Sequence, residues 1–217
     1  MCNLYRMTSS ADAIRELFAP IDTGGSNLAP LPEIFPGYEA PVIVVEDSTR
    51  RLEKMRWGWP PFGPGSGSVK RPVTNIRNLS SPMWRAALAD PARRCLVPVT
   101  AFSEWSAAPD PVTSRKRKHW FALSDAGLFA FAGLWQPTAD GPRYAFLTCA
   151  PNAVVGRVHP KAMPVVLTRK DEADTWLSGD ATAAAALQRP LADATMVEIE
   201  RTEVEVAAPA PAQGALF

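Results

Sequence analysis

Apolar positions fall at helical spacing in one early segment and at strand spacing through most of the remaining chain. In SSADAIRELFAP, residues 9–20, Ile14, Leu17 and Phe18 share one face, Ser9 or Ser10 takes the capping position and Pro20 closes the segment, which predicts a short helix. The Gly- and Pro-rich DTGGSNLAPLPEIFPG reads as loop, and EAPVIVVEDSTRRLEKMRWGW as two strands joined by a polar turn. PPFGPGSGSVK predicts a long flexible loop and SPMWRAALADPARR a second helix. RRCLVPVTAFSEWS, rich in β-branched and aromatic residues, predicts one buried strand. KHWFALS, GLFAFAGLW and RYAFLTCAP, separated by turn signals at Asp125-Ala126-Gly127 and Asp140-Gly141, predict an antiparallel meander. MPVVL adds a strand, TRKDEADTWLSG (opened by Thr168) and DATAAAALQ two short helices, and MVEIERTEVEV a half-buried last strand. The expected architecture is α+β: a β-rich single domain of curved, mostly antiparallel sheets with peripheral short helices over residues 1–206. The Pro/Ala-rich AAPAPAQGALF, residues 207–217, is expected to be an extended tail.

Composition narrows the function classes. A hydrophobic fraction of 47% in 217 residues is ample for one good-sized core. No apolar run reaches membrane-spanning length and no secretory pattern opens the chain, so a cytoplasmic protein, monomeric and associated with the nucleoid only when on DNA, is expected. Cys2, Cys95 and Cys149 are then reduced thiols. With His119 and His159 as the only histidines and no Cys-x-x-Cys pair, neither a metal site nor a cofactor is expected. A net charge of +1 is no nucleic-acid footprint, so any case for DNA rests on local residues.

Four residues stand out chemically. Cys2 directly follows Met1, and aminopeptidases usually remove the initiator before so small a side chain, which leaves an amine and a thiol on one carbon skeleton. Their ordinary pKa values, about 8 and about 8.5, give useful fractions of both nucleophiles near neutrality; as a bare feature Cys2 reads equally as a small hydrophobe. Glu104 lies inside an apolar run, where desolvation raises a carboxyl pKa toward the range useful for proton transfer, or where an arginine pairs with it. His159, fixed by Pro160, is a structural hydrogen-bonder or an acid–base group. Asn75 is a turn former or an orienting amide with both donor and acceptor.

MCNLYR, RWGW, TNIRN, RRCLVPVTAFSEW, FAGLW, LTCAPN and VHPKAMPVVL occur in the order found in the SOS response-associated peptidase family, the SRAP domain, which the chain resembles up to about Leu167. The resemblance implies that a mature N-terminal cysteine captures abasic sites in single-stranded DNA as a stable thiazolidine during the DNA-damage response, with Cys2, Asn75, Glu104 and His159 as the functional set. Asn75 would then orient the amine and the sugar oxygen, Glu104 would shuttle protons, and His159 would act on the sugar hydroxyl. The family name also implies a peptidase, so an N-terminal cysteine peptidase or amidase that releases its own Met1 is the competing enzyme reading. A non-catalytic nucleic-acid-binding module is the third. Many members begin Cys-Gly-Arg and carry His-Asp-Arg-Met-Pro. Asn3 and Leu4 therefore remove a basic residue here, which Arg6 would have to replace, and Lys161 replaces a bidentate arginine.

For a DNA partner the candidate contacts are Arg77, Arg85 and Lys161 on phosphates and Trp57 or Trp59 as a wedge against a base, with burial in the core as the alternative for each tryptophan. RKRKHW reads as a solvated hairpin end. The terminal QGALF resembles the peptides by which bacterial repair proteins dock on the replication sliding clamp, with Gln213 supplying hydrogen bonds and Leu216 and Phe217 filling an apolar pocket.

Overall fold

The computed structural model describes residues 2–19, 21–22, 28–60, 72–125 and 127–200. In chain order the elements are β1 (Tyr5–Met7), α1 (Ala11–Phe18), β2 (Leu31–Ile34), β3 (Glu39–Glu46), β4 (Thr49–Trp57), β5 (Asn75–Ile76), α2 (Pro82–Ala89), β6 (Arg94–Val99) and β7 (Ala101–Trp105). There follow β8 (Lys118–Leu123), β9 (Phe129–Gln136), β10 (Arg143–Cys149), α3 (Ala153–Gly156), β11 (Met163–Pro164), β12 (Val166–Leu167), α4 (Lys170–Ser178), α5 (Ala181–Ala186) and β13 (Met196–Ile199). The fold is α+β, as expected.

Local signals explain most boundaries. The Ser10 hydroxyl accepts from the Ala13 amide at 3.2 Å and caps α1, whose Ile14 and Phe18 are buried. Asp47 and Ser48, with φ of 48° and 62°, make the two-residue turn joining β3 to β4, the left-handed geometry that matches strand twist. The start of α4 departs from expectation: Arg169 rather than Thr168 is its cap, because the Glu172 carboxylate reaches back to the amides of both residues.

Three expectations are corrected. Residues 94–105 form two strands in different sheets, and Leu31–Ile34 within the expected loop pairs with β1 as β2. The break falls at Thr100, whose amide donates to the Arg6 carbonyl at 2.9 Å. An unbroken apolar run carries no period that would mark this corner. The expected meander is also divided: β9 and β10 pair antiparallel, while β8 joins β7 and β13 in the other sheet.

One sheet runs β13-β8-β7-β1-β2. In the other, the pairings β10-β4-β3-β6-β9 return to β10 and close a ring. A shared aromatic core joins them, with Tyr5 and Phe102 packing edge-on against Phe131 at 5.9 and 5.7 Å. At the edge of this core, β1 is pinned to β7: the Ser103 amide donates to the Leu4 carbonyl at 2.9 Å. The chain start is thereby held against the strand that carries Glu104.

Candidate active site

Cys2 is wholly buried, and its thiol donates to the Leu4 carbonyl at 3.5 Å. From β5, the Asn75 amide donates to the Cys2 carbonyl at 2.8 Å and to the Thr74 hydroxyl at 2.8 Å. Asn75 holds its place because β5 pairs in parallel with β10, Asn75 opposite Phe146. Its carboxamide oxygen is buried and has no hydrogen-bond partner among the described residues. An acceptor in that state costs free energy until something donates to it.

Glu104 lies on the inward face of β7. Phe102, two residues earlier on the same face, packs against Phe121 of β8 at 5.5 Å, which fixes the parity of the strand. The carboxyl is 1% exposed, and burial pushes it up to about 7 while the terminal ammonium pulls it down. Burial also drives the Cys2 thiol well above its ordinary value, with the Glu104 charge adding to the effect. The sulfur is therefore neutral thiol near pH 7, and the Glu104 carboxyl is close enough for the two charges to interact.

His159 enters from the segment after α3, where its amide donates to the Val155 carbonyl at 2.8 Å. Asn152 caps α3, its side-chain oxygen accepting from the Val155 amide at 2.9 Å. The His159 Nδ1 stands 3.8 Å from a Glu104 carboxylate oxygen. Desolvation, the terminal ammonium, Lys161 and Lys116 lower its pKa, against a hydrogen bond to the Trp105 backbone that raises it. The imidazole is thus neutral at pH 7.

The fold brings Cys2, Asn75, Glu104 and His159 together from four separate segments. Arg77 and Lys161 are exposed at the same place, the Arg77 guanidinium donating to the carbonyls of Cys149 and, at 3.4 Å, Lys161. Arg85 is exposed on α2. Trp57 and Trp59 are corrected as base contacts: at 0% and 2% exposure both belong to the core, Trp57 stacked on Phe146 at 5.0 Å and Trp59 edge-on to Trp84 at 4.8 Å. Apolar strand packing offers them more contact than a loop edge does. The guanidinium of Arg6, the residue that would have to replace the missing basic one, lies over the Trp120 ring at 5.3 Å. The tail residues Gln213, Leu216 and Phe217 and the loop at residues 61–71 lie outside the described residues.

Trp105, at the edge of this cluster, was not among the candidates drawn from the sequence. It is 37% exposed, next to Glu104, with the Lys118 ammonium 5.4 Å above its ring. The signal was present, because strand alternation that buries Glu104 must turn Trp105 outward.

Among the described residues no helix is long and apolar enough to cross a membrane. Residues 1–208 match the SOS response associated peptidase (SRAP) family. Abasic site processing protein YoqW of Bacillus subtilis is 33% identical over 192 residues, spanning 82% of this chain and 80% of its own. Abasic site processing protein YoaM of the same organism is 28% identical over 188 residues, 82% and 79% of the two chains. A phage-related protein from Bordetella bronchiseptica superposes with a TM-score of 0.72 at 20% identity, over 94% of this chain and 96% of that one. A protein from Bacteroides thetaiotaomicron gives 0.72 at 19% identity, over 92% and 93%. Both structures share the fold.

Proposed function

The chain belongs to the SOS response associated peptidase (SRAP) family, and from that premise we propose that, once Met1 is removed, it captures abasic sites in single-stranded DNA covalently through Cys2. The observation that carries this reading is the convergence on one point of a buried thiol, an amide gripping the Cys2 carbonyl at 2.8 Å, and a carboxyl–imidazole pair at 3.8 Å.

The chemistry balances without a metal or redox partner. The Cys2 amine adds to the aldehyde of the ring-opened deoxyribose, and loss of water gives an imine. The thiol then adds across the C=N bond: sulfur bonds to the former aldehyde carbon, and its proton passes through Glu104 to the nitrogen. Ring closure consumes the imine, which otherwise hydrolyses or allows β-elimination of the strand. His159 donates a proton to or accepts one from the sugar oxygen during ring opening, and the unpaired Asn75 oxygen receives a hydrogen bond from the incoming amine or sugar. Trp105 offers a stacking surface for a neighbouring base and Arg77, Arg85 and Lys161 offer phosphate contacts. Docking on the sliding clamp through Gln213, Leu216 and Phe217 is part of this reading on sequence alone, and deleting residues 213–217 should abolish clamp affinity in a binding titration.

Intact mass of purified protein mixed with an oligonucleotide holding one abasic site tests the capture. The expected product is an adduct lighter than the sum by one water, absent for Cys2→Ser. Equal adduct from Cys2→Ala would refute capture through the sulfur, and release of Met1 by purified protein made without aminopeptidase would favour the self-processing peptidase.

A further inference from the structure

The hairpin between β7 and β8 carries Arg115, Lys116, Arg117 and Lys118 in sequence, on a chain whose net charge is only +1. Solvation alone would explain a loose, charged loop, but this loop is tied. The Asp110 carboxylate accepts from the amides of Val112 and Thr113, both at 2.9 Å, and the Asp110 amide donates to the Arg115 carbonyl at 2.8 Å. At its base, the Ser106 amide donates to the Arg117 carbonyl at 2.9 Å and the Arg117 amide to the Ser106 hydroxyl at 3.0 Å. The hairpin also docks on the segment that carries His159, with the Ala107 amide donating to the Val158 carbonyl at 3.0 Å.

Within this frame the four cations divide. Arg117 is spent on Asp110 at 3.0 Å, and Lys118 lies over Trp105 and 4.0 Å from Glu33. Arg115 and Lys116 are exposed, and neither makes an ion pair among the described residues. The Ala107–Val158 bond sets the hairpin beside the His159 segment, and the charges of Lys161 and Lys116 both contribute to lowering the His159 pKa. An ordered loop that presents two cations loses little conformational freedom when it meets a polyanion.

We propose that the β7–β8 hairpin is a preorganised phosphate-gripping arm that holds the single strand flanking the abasic nucleotide, with Arg115 and Lys116 as its contacts. The identity of the partner rests on the function proposed above; the arm itself is tested without that chemistry. Affinity for an undamaged single-stranded oligonucleotide, measured by fluorescence anisotropy over a range of salt, is compared between the parent protein, Arg115→Ser/Lys116→Ser and the charge-keeping Arg115→Lys/Lys116→Arg. Two lost contacts should lower the magnitude of the slope of log K against log salt by about 1.4 and weaken binding about tenfold at low salt. The charge-keeping variant should retain the parent slope. An unchanged salt slope in the serine variant, or a retained slope with a slower saturated rate, would overturn the arm. A lower slope in a protein that never forms an adduct would instead leave the arm standing and sink the capture chemistry.

Discussion

A Glu104 carboxylate oxygen lies 3.8 Å from the His159 Nδ1, and the carboxyl is almost fully buried while the imidazole meets solvent at its edge. The two groups are shifted in opposite directions by the same cause. Burial disfavours charge, so the acid is pushed up to about 7 and the base is pulled below its ordinary value. Near neutral pH the imidazole is therefore neutral while the carboxyl stands close to its midpoint.

This pairing fixes a pH response. In the proposed capture a carboxylate takes the Cys2 proton, so the rate of adduct formation at saturating DNA should rise with pH, with a midpoint near 7. Glu104→Gln should lose that inflection and react about 10²-fold or more slowly. Stability runs the other way. The folded-state value lies above the ordinary 4.5, so the neutral acid's contribution is full below 4.5 and is lost as pH rises through about 7. The loss amounts to roughly 3 kcal/mol. Glu104→Gln lacks it, so thermal denaturation between pH 5 and 8 should show the variant gaining on the parent protein as pH rises.

Asn75 acts on Cys2 through a single bond to a carbonyl, and both groups are buried. Asn75→Ala leaves the Cys2 carbonyl without its donor, a cost of about 1–3 kcal/mol. Adduct formation should slow because the nucleophile is no longer fixed, while affinity for undamaged single strands stays near the parent value. Asn75→Asp separates orientation from bulk: it keeps the size, offers only acceptors, and should also react slowly. Rate and affinity measured on the same oligonucleotide length check the split.

Trp105→Ala should weaken binding of undamaged single-stranded DNA by about 1–3 kcal/mol, the value of one base–aromatic stack. The ring is only partly buried, so the fold should tolerate the change, and Trp105→Phe should recover part of the affinity. Quenching of Trp105 fluorescence on titration with oligonucleotide, absent in Trp105→Phe, gives an independent readout.

Much of this was legible in the sequence, and what was not has a physical explanation. The hairpin at Asp47 and Ser48 and the α1 helix were marked by turn chemistry and a cap, and Glu104 by being an acid inside an apolar run, whereas the grouping of Cys2, Asn75, Glu104 and His159 came from the family resemblance. The corner at Thr100 was not, because β6 is buried at all six positions and a uniformly apolar strand has no face to count from. Trp57 and Trp59 were offered to DNA because a tryptophan near a Gly-rich loop looks the same in sequence whether it points in or out. Trp105 was passed over although the burial of Glu104 dictated its direction.

The ring of strands that carries Asn75 depends on one close approach. A Cβ added to Gly133 on β9 would stand 2.8 Å from the Cys95 sulfur and 3.3 Å from a Val97 methyl, with the Ala145 carbonyl at 3.4 Å on the β10 side. Gly133 pairs with Cys95 of β6 and with Phe146 of β10, so strands on both flanks would have to move. Phe146 also faces Asn75 in the β5–β10 pairing, which links this contact to the site. Gly133→Ala should therefore cost about 1–3 kcal/mol, the usual penalty of overpacking. In a protein of this size that lowers the melting temperature by about 2–4 °C per kcal/mol. The sulfur is the nearest obstacle, so Cys95→Ala should recover part of the loss. A double-mutant cycle by thermal denaturation should give a favourable coupling above about 0.5 kcal/mol. Strict additivity would mean that the glycine is required by the backbone rather than by the sulfur against it.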